Sequence, residues 1–186
     1  TIVPWEERGE PLTYRIRASG DTIEFLATDF IQVNDAANQE IVDSVLHMLA
    51  LTQTDRVLEL FCGLGNLTLP VASKVERVVG LDYDEKLVRR AKDNALFNHK
   101  DNVEFIRADL TEAPVGEWPT SERFTKLLLD PPRSGALEIL STIVPTLAPE
   151  RIVYVSCNPE TLARDAATLT TGFGYRLEAI QVVDMF

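Results

Sequence analysis

The chain has 186 residues, of which 45% are hydrophobic, and a formal net charge of −11 at pH 7. This length predicts one domain with a real core and at most a small appendage, while no apolar run reaches the roughly 18 residues that cross a bilayer. The acidic balance excludes a broad basic surface for nucleic acid, and two cysteines without an export signal indicate a reducing, cytoplasmic setting rather than a disulfide scaffold.

The first elements predicted along the chain are a β-hairpin and a helix. Residues 12–16 and 22–25 flank Ser19-Gly20-Asp21, which is a turn signal. The stretch 30–34 then leads into a helix over about 35–51 with one apolar face. We therefore divide the chain into an N-terminal hairpin and linker segment, residues 1–33, and a larger domain, residues 34–186.

From residue 57 onward, apolar strand candidates alternate with helical stretches, of which 84–97 is the clearest. This alternation predicts a doubly wound, mostly parallel α/β sheet of the Rossmann type. Right-handed crossovers place the carboxyl ends of such strands on one edge, where a ligand binds. The predicted strands are 57–61, 77–81, 103–106, 126–129, 152–155 and 177–183.

The loop after the first of these strands contains Gly63 and Gly65, which allow a sharp turn and a close approach to a ligand. A dinucleotide fingerprint would have a third glycine where Thr68 stands, so a pyrophosphate site is disfavoured. Asp82 ends the next strand, where a carboxylate accepts both hydroxyls of a ribose, unless it is merely solvated. Glu59 adds negative charge that favours a sulfonium and an ammonium, unless it only caps backbone amides. The pattern fits S-adenosylmethionine better than NAD.

Two further acidic residues follow predicted strands. Asp109 would accept a hydrogen bond from an adenine amine or, alternatively, cap the next short helix. Asp130 begins the stretch 130–135, Asp-Pro-Pro-Arg-Ser-Gly, in which two prolines stiffen the loop. Together with Arg133, this loop is suited to reading the polar edge of a planar base; the alternative is an exposed turn.

Cys157 follows the apolar run 152–155, and Asn158-Pro159 prevents the strand from continuing. A thiol is therefore expected at the ligand edge of the sheet, where it is a candidate nucleophile. The alternative is a small apolar core residue that ends a buried strand.

Four motifs in this order resemble those of the RNA uracil-5-methyltransferases, from about Phe30 onward. They are Phe-Ile-Gln-Val-Asn at 30–34, Leu-Phe-Cys-Gly-Leu-Gly-Asn at 60–66, Asp-Pro-Pro-Arg-Ser-Gly at 130–135 and Ser-Cys-Asn-Pro at 156–159. The short strand spacing, with Thr-Leu-Ala-Arg-Asp at 161–165 and Asp-Met-Phe at 184–186, is most similar to the 23S ribosomal RNA branch.

The resemblance implies methyl transfer from S-adenosylmethionine to C5 of a uridine in RNA, either 23S ribosomal RNA or transfer RNA, with no DNA or membrane partner. It implies that Cys157 is the nucleophile that attacks uracil C6. Combined with the loop argument, it predicts that Asp130 and Arg133 bind the substrate. The predicted cofactor-binding residues are Gln32, Phe61, Gly63, Asn66, Asp82, Asp109 and Asp130.

The resemblance also implies features that the given sequence does not contain. Family members continue past residues 184–186 with a glutamate that removes the C5 proton and then with the last strand of the sheet. Full-length members have an N-terminal RNA-binding domain, and many in this branch hold an iron–sulfur cluster, for which Cys62 and Cys157 are too few. We therefore expect a C-terminal catalytic fragment that binds cofactor but lacks the general base.

Three other functions are weighed against this one. A methyltransferase acting on an exocyclic amine also uses an Asp-Pro-Pro loop, but with an aromatic residue where Arg133 stands, and Cys157 would then have no role. A different class is a non-catalytic S-adenosylmethionine-binding or interaction module, which would in part describe a fragment without the general base. A cytosine-C5 enzyme also uses a cysteine after a proline-rich turn, but its thiol usually follows the fourth strand rather than the fifth. The strand that carries the cysteine therefore discriminates the two enzymes.

Overall fold

The computed structural model describes residues 11–110 and 122–185. Two antiparallel strands, β1 (Leu12–Arg15) and β2 (Thr22–Phe25), form a hairpin, and five parallel strands form the main sheet. The order across the main sheet is β5-β4-β3-β6-β7. This arrangement confirms the predicted parallel α/β sheet with its small hairpin. The strands are β3 (Arg56–Leu60), β4 (Arg77–Asp82), β5 (Val103–Arg107), β6 (Lys126–Leu129) and β7 (Arg151–Tyr154).

Helices lie between most of these strands, and polar side chains fix where three of them begin. The side chains of Asn34, Asp84 and Asn158 each accept hydrogen bonds from backbone N–H groups in the first turn of the helix that follows them. None of the described helices has the length and apolar character needed to cross a membrane. They are α1 (Asp35–Leu49), α2 (Thr68–Ala72), α3 (Glu85–Phe97), α4 (Leu137–Leu147) and α5 (Pro159–Ala167), the last continued by a π-helical turn, Thr168–Gly172.

Both faces of the main sheet are buried against a hydrophobic core. Successive side chains of a strand point to opposite sides, so each strand contributes to both cores. On one face Val57 and Leu128 belong to a core that includes residues of α1, α2 and α3. On the other face Leu58 and Leu127 belong to a core that includes residues of α4. With both faces covered, the carboxyl ends of the strands are the edge that remains for a site.

The strand predicted at 177–183 is wrong. The structure has no regular secondary structure there, and Ile180 and Val182 are 69% and 88% exposed. An apolar alternation forms a strand only where a partner backbone and a core are within reach, and no described strand pairs with this segment. A polar contact holds its start instead, since Arg151 Nη1 donates to Glu178 Oε2 at 2.8 Å.

Candidate active site

The loop that follows β3 has a left-handed backbone at three positions. Phe61, Gly63 and Gly65 have φ angles of 63°, 53° and 88°, a region that costs a non-glycine residue on the order of 1–2 kcal/mol. A Cβ at Gly65 would lie 3.2 Å from Phe105 Cζ, whereas a Cβ at Gly63 would meet no atom within 4 Å. The backbone at Gly63 is therefore open to close approach by a ligand.

Asp82, at the end of β4, holds this loop in place. Its Oδ2 accepts a hydrogen bond from Gly63 N at 2.9 Å, and its Oδ1 accepts one from Asp84 N at 3.0 Å. Each carboxylate oxygen keeps a further lone pair, so both can still accept from a diol. The structure thus brings two of the predicted cofactor residues, Gly63 and Asp82, together at neighbouring strand ends.

Three carboxyl groups lie near this edge of the sheet. They are Glu59 in β3, Asp82 at the end of β4 and Asp130 directly after β6. Burial, together with the charges of Asp130 and Asp82, raises the pKa of Glu59 to about 8. Burial also raises the pKa of Asp130, to about 6. Glu59 is therefore mostly uncharged at pH 7, which corrects the negative charge that the sequence indicated. The described residues contain no His, Cys, Asp and Glu group placed to hold a metal ion.

Glu59 also has an unsatisfied oxygen. Glu59 is 1% exposed, and its Oε2 has no hydrogen bond of ordinary geometry among the described residues, although the nearby hydroxyl of Thr68 lowers the pKa of the carboxyl against the effect of burial. Because a buried acceptor is normally paired, this oxygen fits an N–H or cationic group of a ligand.

Asn66 has a side chain that is already engaged within the protein. Its Oδ1 accepts from Tyr14 OH at 2.9 Å and from Asn38 Nδ2 at 3.0 Å, and its Nδ2 donates to Asn38 Oδ1 at 2.9 Å. One N–H of the amide remains for a ligand. Direct contact between Asn66 and a cofactor stays a prediction.

The other predicted residues occupy less enclosed positions. Gln32 is half-buried in the stretch that leads into α1, and Phe61 is half-buried against the core on the α4 side of the sheet. Asp109 is half-buried just beyond β5, but the segment after it, residues 111–121, lies outside the described residues, so its alternative as a helix cap stays open. Arg133 is exposed after β6.

Cys157 is exposed, while the other cysteine, Cys62, is buried. The alternative that Cys157 is a core residue is therefore wrong. Ser156 closes the turn around it, because its Oγ accepts from Asn158 N and donates to Asn158 O, both at 3.1 Å. The structure thus presents the thiol in a tight turn just beyond β7.

This cysteine turn is joined to the loop that follows β6. Asn158 Nδ2 donates to Arg133 O at 3.0 Å, and Thr161 Oγ1 donates to the same oxygen at 3.1 Å. Arg164 Nη2 donates to Ser134 O at 2.9 Å. The candidate nucleophile and the candidate substrate loop are therefore parts of one hydrogen-bonded unit.

Asp165 is a fully buried carboxylate at the centre of this unit, and sequence reasoning missed its role. Its Oδ2 accepts from Ala136 N and from Tyr154 OH, both at 2.7 Å, and its Oδ1 pairs with Arg164 Nη2 at 2.7 Å. It therefore ties the end of β7, which leads to the cysteine turn, to the start of α4.

Tyr83 is a second residue that sequence reasoning missed. It follows Asp82 and is 60% exposed, and the guanidinium carbon of Arg107 lies 5.5 Å from the ring centroid. An aromatic residue directly after a strand-end acid was the signal that the sequence offered. The ring offers a flat surface on which a planar base can stack beside Asp82.

Replacing Gly135 with alanine tests the joined loops. Gly135 has a φ of 79°, and an alanine Cβ would lie 2.6 Å from both Arg164 Nη2 and Asp165 Oδ2. We expect the free energy of unfolding to fall by about 2–4 kcal/mol, since backbone strain and overpacking each cost about 1–3 kcal/mol. Chemical denaturation measures it. Gly63→Ala, where alanine would also need a positive φ but would meet no neighbour, should lose only about 1 kcal/mol. Equal losses would contradict the tight packing of Gly135 against Arg164 and Asp165.

Comparison with known proteins places these features in context. The family described as tRNA (Uracil-5-)-methyltransferase matches residues 13–186. The 23S rRNA (uracil(1939)-C(5))-methyltransferase RlmD of Alkalilimnicola ehrlichii is 51% identical over 96% of this chain and 40% of the relative. The RlmD of Pasteurella multocida is 46% identical over 93% of this chain and 39% of the relative. The chain thus spans about 40% of the length of these relatives.

Solved structures share the fold. The crystal structure of Pyrococcus abyssi tRNA (uracil-54, C5)-methyltransferase in complex with S-adenosyl-L-homocysteine matches with a TM-score of 0.80 and 29% identity, over 96% of this chain and 41% of that one. The precorrin-6y C5,15-methyltransferase of Geobacter metallireducens is 18% identical, with a TM-score of 0.65 over 75% of this chain and 74% of that one. At that identity, the second match shows a common fold alone.

Proposed function

Because the chain belongs to the tRNA (uracil-5-)-methyltransferase family, we propose that it takes part in methylating C5 of a uridine in RNA, with S-adenosylmethionine as the methyl donor. One observation carries the proposal. Cys157 is exposed in a turn that is hydrogen-bonded to the loop of Asp130 and Arg133. A nucleophile beside a loop suited to a planar base is what a C5 methylation of uracil requires.

The cofactor is proposed to bind where the ends of β3 and β4 meet, because three features there fit it. The backbone at Gly63 is open to close approach, the carboxylate of Asp82 has lone pairs for ribose hydroxyls, and the orphaned Oε2 of Glu59 suits a cationic group. When bound, S-adenosylmethionine supplies an electrophilic methyl group. The other residues proposed to line the site are Gln32, Phe61, Asn66, Asp109 and Asp130.

In the proposed reaction, the thiolate of Cys157 adds to C6 of uracil and forms an S–C6 bond. The C5=C6 electron pair moves toward the C4 carbonyl as an enolate, which gives C5 the nucleophilic character that free uracil lacks. C5 then accepts the methyl group, whose bond to the sulfonium sulfur breaks with the electron pair left on sulfur. Removal of the C5 proton by a base expels the thiolate and restores the C5=C6 bond. The base is assigned to none of residues 11–110 or 122–185.

The uracil ring is proposed to lie against Asp130 and Arg133. With a pKa of about 6, Asp130 is mostly ionised at pH 7 and can accept from the N3–H of uracil. The exposed guanidinium of Arg133 can donate to a ring carbonyl oxygen. The hydrogen bonds from Asn158 and Thr161 to Arg133 O keep this loop at a fixed distance from the cysteine turn.

We propose 23S ribosomal RNA as the substrate, at the uracil 1939 named for the relatives. The two RlmD relatives are 51% and 46% identical to this chain, compared with 29% for the tRNA enzyme. The net charge of −11 leaves little basic surface to neutralise phosphates, so RNA affinity within this chain is expected to be local to the site. The proposed compartment is the cytoplasm, without a DNA or membrane partner.

Titration calorimetry with S-adenosylhomocysteine tests the cofactor assignment. Asp82→Ala should raise the Kd by about 100-fold or more, because hydrogen bonds to a charged acceptor are worth about 1.5–3 kcal/mol each. Asp84→Ala is the matched control. It removes the α3 cap, so stability should fall by about 1 kcal/mol while the Kd stays within about twofold. A parent chain that does not bind, or an Asp82→Ala variant that binds like the parent, would overturn the assignment.

A further inference from the structure

Two asparagines bind the edge of the hairpin in the same way, Asn94 in α3 and Asn98 directly after its last residue. Asn98 Nδ2 donates to Thr22 O at 2.7 Å, and its Oδ1 accepts from Thr22 N at 2.8 Å. One turn earlier, Asn94 Nδ2 donates to Glu24 O at 3.2 Å, and its Oδ1 accepts from Glu24 N at 2.9 Å. Alternate residues of a strand direct their backbone groups to the same edge, so the two side-chain amides take the place of a neighbouring strand.

Of these two asparagines, only Asn94 also contacts the cofactor loop, which follows β3. It is fully buried, and its Nδ2 also donates to Leu64 O at 3.1 Å. Leu64 lies between Gly63 and Gly65 in the loop after β3. A single side chain therefore connects β2 to the part of this loop that is open to a ligand.

The other strand of the hairpin reaches the same loop independently. Tyr14 of β1 donates to Asn66 Oδ1 at 2.9 Å, and burial raises the pKa of its phenol well above the usual value, so the proton stays in place. Its ring packs against that of Phe25, with centroids 5.8 Å apart. The hairpin thus holds the loop at Leu64 and Asn66, on both sides of Gly65.

This loop depends on such support because of its backbone. Gly63 and Gly65 adopt a positive φ readily. Phe61, with a φ of 63°, does not, and such a conformation persists only where surrounding groups hold it. Asp82 provides one such group through Gly63 N. The other side-chain contacts to this loop are made by Tyr14 of the hairpin, by Asn94 and by Asn38.

We propose that the hairpin sets the conformation of the cofactor loop, with Tyr14 and Asn94 as positioning residues for cofactor binding. The inference rests on the proposed function, in which this loop receives S-adenosylmethionine. The hairpin, which the sequence placed in a separate N-terminal segment, then contributes to the cofactor site. A displacement of the hairpin then changes cofactor affinity through Leu64 and Asn66.

The test compares Asn94→Ala with Asn98→Ala, which removes the two equivalent hydrogen bonds to Thr22 of β2 and one to Asn94 O, but touches no loop residue. Titration with S-adenosylhomocysteine gives the Kd. Amide hydrogen exchange of Gly65, whose N–H donates to Cys62 O at 3.0 Å, gives the loop opening without ligand. We expect Asn94→Ala to raise the Kd by roughly five- to fiftyfold and to speed exchange at Gly65. Asn98→Ala should lower the Tm but keep the Kd within about twofold.

Tyr14→Phe is the second variant, since it keeps the ring and removes only the hydroxyl. It should also raise the Kd and speed exchange at Gly65. Equal losses of affinity in Asn94→Ala and Asn98→Ala, or parent-like exchange at Gly65 in both Asn94→Ala and Tyr14→Phe, would overturn the positioning role. A parent chain that fails to bind S-adenosylhomocysteine would instead overturn the proposed function, and the exchange rates would still decide the positioning role.

Discussion

Replacing Cys157 with serine is expected to abolish covalent capture of RNA while leaving cofactor binding intact. A serine hydroxyl is almost entirely un-ionised at neutral pH and is a far weaker nucleophile toward C6 than a thiolate. Cys157 is exposed, so the substitution disturbs no core packing. The probe is a 23S ribosomal RNA fragment with 5-fluorouridine at the position of the uracil named for the relatives.

The fluorine makes the adduct permanent. After the S–C6 bond has formed and C5 has accepted the methyl group, fluorine occupies the place of the C5 proton. It cannot leave as a cation, so the thiolate is not expelled, and no base is needed to reach this state. The complex survives denaturation, and its mass is that of the chain, the RNA and one methyl group, less the thiol proton. We expect its yield in Cys157→Ser to fall by roughly 100-fold or more.

The other cysteine provides a matched control. Cys62 is 4% exposed, and burial raises the pKa of its thiol. Cys62→Ala should therefore form the adduct as the parent does, provided that calorimetry shows unchanged binding of S-adenosylhomocysteine. An adduct in Cys157→Ser, or its absence in a parent chain that binds both cofactor and RNA, would contradict the assignment of the nucleophile.

The main sheet was predictable because its signals are local. The strands predicted at 57–61 and 126–129 agree with β3 and β6 to within one residue. Each is a short apolar run that is buried on both faces. The segment 177–183 shows a similar apolar pattern but no strand. Pairing depends on a partner elsewhere, which a local pattern does not contain.

The meeting of Gly63 and Asp82 at neighbouring strand ends was predictable, but the ionisation of the acidic residues near them was not. A rule of topology puts strand ends on one edge, and it correctly brought Gly63 and Asp82 together across 19 residues of sequence. The charge of Glu59 depends instead on burial, which the sequence does not state. A carboxyl group four residues before a glycine reads as an anion until the structure shows that it is 1% exposed.

Asp165 shows a different limit. Its partners, Ala136 N and Tyr154 OH, are 29 and 11 residues away, and the contacts arise from how α4, α5 and β7 pack. In the sequence, Asp165 was one residue of a motif that marked a branch of the family. The role of Asp165 in joining β7 to α4 becomes evident only in the structure, where Gly135 has no room for a Cβ beside it.

Replacing Glu59 with glutamine is expected to stabilise the fold at pH 8 and to weaken cofactor binding. The pKa of Glu59 is about 8, compared with an ordinary value of 4.5. Between these pH values the unfolded chain loses the proton and the folded chain keeps it, so stability declines as pH rises from about 4.5 to about 8 and is constant above. Each pKa unit is worth about 1.4 kcal/mol. Glutamine does not ionise, so the Tm of Glu59→Gln should exceed that of the parent at pH 8 and match it at pH 4.5.

Cofactor binding should show the opposite preference, because a cationic group next to Glu59 favours its ionised form. The parent should release nearly one proton on binding S-adenosylmethionine at pH 7, and its affinity should rise with pH and level off above about 8. Calorimetry in buffers of different ionisation enthalpy counts that proton. Asp130 and Asp82 also face Glu59, and Asp130 titrates near pH 6, so Asp130→Asn separates its share. Glu59→Gln should release almost no proton at pH 7 in the Asp130→Asn background. Undiminished release there would show that Glu59 is not the group that ionises when the cofactor binds. A parent-like Tm at pH 8 would contradict the raised pKa of Glu59.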